Sequence, residues 1–258
     1  MIISSVGVPL NFNWTHFKYE LLAQCRNIPT IFFTILMPII FFVGMRALGG
    51  SSANSNDFAV PATSTMAVVF GTTMNLAIAM TYLREYGLLV RYHLTPLSNL
   101  GVVLPKIVVA SFISMLGVLG LIFADWILYS NKPDGWPTVK FIGLIFIVSL
   151  FFGVLGVALS IFLPNETAAS PILSVMLIPI LMVSGIFVPS ELINLPHWLD
   201  FIIGTLPFKA AHELLQAVYN AESLKGLAAR STAVLVGWLA ISLVVIRLGN
   251  MNSPRIRR

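Results

Sequence analysis

The chain has 258 residues, of which 57% are hydrophobic and only 10% charged, and its mean hydropathy is +0.91. A soluble domain carries about 25% charged residues, so this chain cannot cover a water-facing surface and lipid must be its solvent. The net charge of +5 fits basic cytoplasmic loops rather than nucleic-acid binding, and the single cysteine, Cys25, excludes a disulfide framework. We expect one all-α polytopic membrane domain over residues 1–258, without a cleavable signal peptide.

The first predicted element is a helix over residues 13–27. Apolar side chains recur at helical spacing at Trp14, Phe17, Leu21 and Cys25. The other face is polar and carries His16, Glu20, Gln24 and Asn27. The segment is too polar to span, so we expect it to lie in the membrane interface. An ordinary surface helix is the alternative, and it is disfavoured because an apolar span follows at once.

Six windows reach the roughly 20 apolar residues that a membrane-spanning helix requires. They are residues 28–48, 60–82, 102–128, 139–163, 168–188 and 229–248. A cytoplasmic N-terminus places most basic residues inside and most acidic residues outside. Six spans then put both termini in the cytoplasm.

The longest predicted outer segment is residues 189–228, and it contains two helix signals. Ser190 is a candidate cap for a short helix that ends near Trp198, and Pro207 suits the first position of a second helix. In the second helix we expect a polar face formed by Lys209, His212, Glu213 and Gln216. Two amphipathic helices at the outer surface either gate a pathway or form a purely structural lid.

Ionisable residues in this chain avoid the middle of the spans. The ionisable residues within or next to the predicted spans all lie near span ends, where their side chains can snorkel to the membrane surface. They are Arg46, Lys106, Asp125, Lys140, Arg230 and Arg247. An ion-driven transporter requires more charge at depth. His212-Glu213 begins like a zinc-protease helix but lacks the second histidine, and no Walker A sequence occurs. We expect a non-catalytic chain that binds no metal or cofactor itself.

The polar segment 83–98 separates the second and third windows. Residues 83–94 are predicted to form about three turns of helix that end before Pro96. Gly87 would let another surface approach closely. Spans without ion coupling or an ATP site are either passive or powered by another protein. This segment is therefore the candidate contact site for a partner protein that supplies the energy. A plain connecting loop is the alternative.

Two groups of residues resemble a known family. Glu85-Tyr86-Gly87, then Leu94-Thr95-Pro96-Leu97 and Lys106, are similar to the loop between spans two and three of the type-two class of ABC exporter permeases. The second group follows the fifth span and resembles the same family. It consists of Ser184-Gly185-Ile186-Phe187-Val188-Pro189, Leu195-Pro196-His197-Trp198-Leu199 and Leu206-Pro207-Phe208. A weaker likeness lies in Arg26-Asn27 and Pro38 around the first span.

The resemblance implies a six-span half-transporter in a bacterial cytoplasmic membrane. Two permeases, identical or paralogous, would pair with two ABC ATP-binding subunits that hold the ATP and Mg²⁺. The residues implied in ATPase coupling are Arg84, Glu85, Tyr86, Gly87, Arg91, Leu94, Thr95 and Pro96. Those implied in an outer gate are Gly185, Pro189, Trp198 and Pro207.

By the same resemblance, spans one, two and five would line the substrate pathway. The candidate pathway residues are Phe33, Met37, Phe41, Met66, Phe70, Met74, Met176 and Met182. Thioethers and aromatic rings suit varied hydrophobic ligands, although each side chain could equally pack the bundle or face lipid. We expect export of a hydrophobic drug, antibiotic or lipid-like substrate. The alternatives are polysaccharide or glycolipid export, or a non-transporting membrane anchor or sensor for an ATPase.

Overall fold

The computed structural model describes residues 14–49, 53–89, 99–131, 135–187, 196–221 and 227–249, and the secondary structure in these ranges is helical. The helices are α1 (Trp14–Cys25), α2 (Ile28–Ile31, Phe32–Leu36 and Met37–Gly49), α3 (Ala53–Val68, Val69–Met74 and Asn75–Glu85), α4 (Asn99–Tyr129), α5 (Gly135–Ser160), α6 (Glu166–Val183), α7 (His197–Gly204), α8 (Pro207–Tyr219) and α9 (Leu227–Leu248).

Six of the described helices contain a stretch long and apolar enough to cross a membrane. These stretches are Ile28–Ala47, Phe58–Glu85, Gly101–Tyr129, Gly135–Ser160, Glu166–Val183 and Ala229–Leu248. The prediction of an all-α polytopic membrane protein with six spanning helices is confirmed.

Helix α3 lies at the centre of the bundle and contacts α2, α4, α5, α6 and α8. The apolar window of α3 is 78% buried, whereas that of α9 is only 11% buried. Helices α2 and α6 are also peripheral, each with 22% of its window buried. The core therefore forms around α3, and α2, α6 and α9 present apolar faces to their surroundings.

Helices α2 and α3 each contain a π-helical turn. In α2 the amide of Met37 bonds to the carbonyl of Phe32, five residues back. The turn coincides with Pro38, which has no amide hydrogen to offer to the carbonyl of Thr34. That carbonyl packs on α4 instead, where a Cβ built on Gly117 would lie 2.6 Å from it.

The π turn of α3 repeats this arrangement against α5. A Cβ on Gly156 would lie 2.5 Å from the carbonyl oxygen of Thr73. Only glycine permits such contact between helices. The two π turns also contact each other, so the centre of the bundle is fixed by close backbone packing.

Helix α1 presents its polar side to the protein. Lys106 Nζ of α4 lies 2.5 Å from Glu20 Oε2, and Gln24 is buried. Trp14 and Leu22 are exposed instead. The polar face therefore docks on the bundle, and we call this end of the bundle the α1 end.

Arg46 and Asp125 do not snorkel as predicted. Arg46 Nη2 donates to Asp125 Oδ1 over 2.8 Å, and both side chains are 4% exposed. Asn131 Nδ2 donates to the other carboxylate oxygen over 2.8 Å, and the Arg46 guanidinium lies 4.4 Å from the centre of the Tyr129 ring. The two charges neutralise each other inside the bundle, so neither needs to reach water.

Helix α8 is packed into the bundle rather than resting on its surface. It contacts α3, α5 and α9, and its apolar face is buried. His212, predicted on the exposed polar face, is also buried: its ring lies edge-on to Phe58, and its Nδ1 is 3.4 Å from the Thr65 hydroxyl. Ser190 and most of the short helix predicted after it lie outside the described residues, and the helix that the structure describes here runs from His197 to Gly204.

Candidate functional site

The C-terminal end of α3 is tied to the turn between α5 and α6. The Arg84 guanidinium donates to the carbonyl of Ile161 over 3.2 Å and to the carbonyl of Leu163. Glu85 Oε2 accepts the amide hydrogen of Glu166 over 2.7 Å. We call these contacts of Arg84 and Glu85 the α3 clamp.

The clamp matches charge to helix polarity. Arg84 meets carbonyls that follow the C-terminal end of α5, where helices carry partial negative charge. Glu85 meets an amide at the N-terminal end of α6, where the partial charge is positive. Asn165 caps the same end, since its Oδ1 accepts the amide hydrogen of Ala168 over 2.8 Å. The end of α3 thus holds two neighbouring helix ends at once.

Gly87 ends α3, so the predicted continuous helix from residue 83 is wrong. Its φ angle is +64°, and its amide bonds to the carbonyl of Arg84 over 3.2 Å, a conformation typical of a glycine that terminates a helix. Leu88 and Leu89 begin another helical turn. Arg91, Leu94, Thr95 and Pro96 lie outside the described residues.

The predicted coupling residues therefore fall into two environments. Arg84 is buried and engaged within the chain. Tyr86 is 58% exposed, and its ring lies against Tyr82, with 4.6 Å between the centroids. A Cβ on Gly87 would meet no atom of the part of the chain that the structure describes within 4 Å. The clamp faces inward, and Tyr86 and Gly87 form an accessible surface beside it.

A cavity of about 470 Å³ lies at the α1 end, between α1, α2, α3 and α6. Its polar lining residues are Glu20, Gln24, Asn27, Thr30, Thr34, Asn75, Lys106, Glu166 and Ser170. Its apolar lining residues are Ala23, Pro29, Phe33, Phe70, Met74, Ile78, Ala79, Tyr82 and Leu83. The volume is typical of small-molecule sites, which are roughly 300–1,000 Å³. Both π turns contribute to its wall.

A directed chain of hydrogen bonds runs along the polar side of the cavity. Lys106 Nζ and Gln24 Nε2 both donate to the Glu20 carboxylate, over 2.5 Å and 3.4 Å. Asn75 Nδ2 donates to Gln24 Oε1 over 3.3 Å, and the Thr30 hydroxyl donates to Asn75 Oδ1 over 3.5 Å. Every bond points toward Glu20, so this carboxylate is well solvated by protein groups.

The structure brings three of the predicted pathway residues together at the cavity: Phe33, Phe70 and Met74. The others lie elsewhere. Met66 is buried in the core, Met37 and Phe41 are partly buried in α2, and Met176 and Met182 are exposed on α6. The periodicity of apolar residues could not separate these groups, because it marks a helix face and not its partner.

The predicted gate residues are spread over several environments. Gly185 is buried with a φ angle of +82°, directly after α6. Trp198 of α7 is 66% exposed, whereas Pro207 is buried at the first position of α8. Pro189 lies outside the described residues. Helix α8 also holds His212, whose pKa burial lowers to about 4, so its ring is neutral near pH 7.

The described residues contain no group of three or more His, Cys, Asp or Glu side chains that could hold a metal ion.

A comparison with curated proteins finds no significant match. The family model of the ABC-2 type transporters matches residues 13–220, which is most of the chain and includes α1 to α8. With its six apolar spanning helices, this multi-pass permease therefore belongs to the ABC-2 type transporter family.

Proposed function

We propose that the chain is the permease subunit of an ATP-driven exporter that moves a hydrophobic drug, antibiotic or lipid-like substrate out of the cell. It binds two ATP-binding subunits, which hold ATP and Mg²⁺, and a second permease that is identical or paralogous. The α1 end faces the cytoplasm and both termini lie inside, as the distribution of basic residues favours.

The α3 clamp is the observation that carries this proposal. A partner that pushes on the exposed Tyr86–Gly87 surface moves the end of α3. Because Arg84 and Glu85 hold the ends of α5 and α6, these helices move with it. Helix α6 borders the cavity through Glu166 and Ser170. Force at the accessible surface is therefore delivered to a cavity wall.

The cavity supports a substrate with an apolar body and a polar end. Phe33, Phe70 and Met74 supply apolar contacts that adapt to varied shapes. Two of the surrounding helices, α2 and α6, have only 22% of their apolar windows buried within the chain. A second permease placed against them would complete a pathway between the two copies.

The test is ATP-dependent transport by the permease together with its ATPase in inside-out vesicles. We compare Gly87→Trp with Gly87→Asn. Asparagine tolerates a positive φ angle, so it retains the turn, whereas tryptophan adds bulk to the accessible surface. We expect the tryptophan variant to lose about tenfold in transport and in substrate-stimulated ATPase activity, a change of about 1.4 kcal/mol in coupling.

Three outcomes would separate the alternatives. Full transport by the Gly87→Trp complex would contradict coupling through this surface. ATP hydrolysis without movement of any hydrophobic substrate would favour the anchor or sensor. Transport restricted to a polysaccharide or glycolipid would replace the proposed cargo.

A further inference from the structure

The charges around the cavity do not cancel. Among the described residues, three charged side chains line it, and Lys106 is already neutralised by Glu20 at 2.5 Å. Glu166, the third, is in none of the salt bridges found among the described residues. In the adjacent clamp, Arg84 and Glu85 contribute one charge of each sign. The lining that the described residues form therefore carries one net negative charge, which belongs to Glu166.

Glu166 lies at a helix end that attracts negative charge. Glu166 lies in the first turn of α6, where the helix dipole stabilises an anion. Its side chain is partly exposed, so it keeps contact with the open space of the cavity. The hydrogen bond from its own backbone amide to Glu85 leaves the side-chain oxygens available.

Aromatic rings also line the cavity. Phe33 and Phe70 both line it, and the faces of such rings attract cations as well as apolar groups. The site that the described residues form thus combines an unpaired acidic side chain with aromatic rings.

We propose that Glu166 makes this cavity selective for lipophilic cations, such as hydrophobic amines or phosphonium ions. The proposal rests on the proposed function for the identification of the cavity as the cargo site. Glu166 also joins cargo to coupling: its side chain lines the cavity, and its amide is held by Glu85 of the clamp. A cation bound at Glu166 therefore touches the same residue that receives force from α3.

The test measures equilibrium binding to the full-length permease in lipid nanodiscs, without an ATPase. The probes are tetraphenylphosphonium and tetraphenylborate, which have the same shape and opposite charge, and binding to empty nanodiscs is subtracted. We expect the wild-type chain to bind the cation at least about tenfold more tightly than the anion, a preference worth about one close charge interaction in a partly buried site.

Three variants locate the preference. Glu166→Gln is expected to lose the preference for the cation, and Glu166→Asp to retain most of it because the charge remains. Asp200→Asn removes an exposed acid of α7 that does not line the cavity, and it should bind both probes like the wild type. Thermal melting of each variant separates lost binding from lost folding.

Equal binding of the two probes by the wild type, or an unchanged preference in Glu166→Gln, would overturn the inference. So would the absence of any protein-dependent binding of the cation. Because binding needs no ATPase, these results are distinct from a failure of ATP-driven transport. A permease that exports neutral hydrophobic cargo but ignores charge would retain the proposed function and lose only this inference.

Discussion

At the scale of single residues, three buried basic side chains of this membrane protein each have a partner on another part of the chain. Arg46 meets Asp125, Lys106 meets Glu20, and Arg84 meets backbone carbonyls. Each partner is far away in the sequence. In a medium of low dielectric an unpaired charge is costly, so the pair forms or breaks as a unit.

The Arg46–Asp125 pair gives a stability prediction. Asp125→Asn leaves a buried guanidinium without its counter-charge, and we expect a loss of about 3 kcal/mol in the free energy of unfolding. Thermal melting in detergent measures the change. The less buried pair formed by Lys209 and Asp200, whose carboxylate side chain is 54% exposed, is the control. Asp200→Asn should cost less than about 1 kcal/mol.

Exchanging the two charged residues tests whether the stability comes from their pairing. The double variant Arg46→Asp with Asp125→Arg should recover part of the stability that each single change removes. If Asp125→Asn melted like the wild type, the two charges would not depend on each other.

His212 gives a prediction for pH. Its pKa in the folded protein is about 4, below the ordinary value of 6.5, because burial disfavours the charged ring. Between these values the unfolded chain binds more protons, so stability is full above about pH 6.5 and falls as pH drops toward 4. The total loss attributable to this ring is about 3 kcal/mol.

Thermal melting of the wild type and His212→Asn between pH 4 and pH 7.5 checks this assignment. The variant lacks the titrating ring, so its melting temperature should change less with pH than that of the wild type. Identical pH profiles would assign the effect to other groups.

At the scale of elements, glycines set how closely the central helices approach. Gly156 of α5 packs on the carbonyl of Thr73 in the π turn of α3. Gly143 lies on the same helix, but a Cβ there would meet no atom of the described residues within 4 Å. The same chemical change at these two positions therefore has two different structural consequences.

We expect Gly156→Ala to destabilise the protein by about 1–3 kcal/mol, because the backbone of α3 must shift away from the added methyl group. Gly143→Ala should be neutral or stabilising by up to about 1 kcal/mol through helix propensity. Thermal melting and yield in detergent compare the two variants. Equal behaviour of both would mean that α3 and α5 do not pack as closely as Gly156 indicates.

At the scale of the whole molecule, the sequence predicts the number and kind of membrane spans well. Lipid offers no hydrogen bonds, so each span must satisfy its backbone within one helix, and long apolar windows report this requirement directly. Partners between helices leave no such local signal. The contact of Glu85 with Glu166 joins residues 81 positions apart, and no periodicity points to it.

In the candidate site, too, the sequence predicts apolar residues of single helices better than contacts between helices. Phe33, Phe70 and Met74 were predicted as pathway residues and do line one cavity. The polar residues beside them, Asn75 and Glu166, were not predicted. A single polar residue within or at the end of an apolar span carries no signal in the sequence that separates a binding role from a purely structural one. His212 was assigned to an exposed face since the sequence records polarity and not burial.

The clamp has a consequence for how such a sequence can change. Arg84 and Glu85 are adjacent, and each fits only one of the two helix poles that it meets. A chain with Glu first and Arg second would have identical composition, hydropathy and net charge. It would nevertheless set an anion against carbonyl oxygens and a cation against amide hydrogens. The order of these two neighbouring residues thus determines the contacts, although composition, hydropathy and net charge are the same for either order.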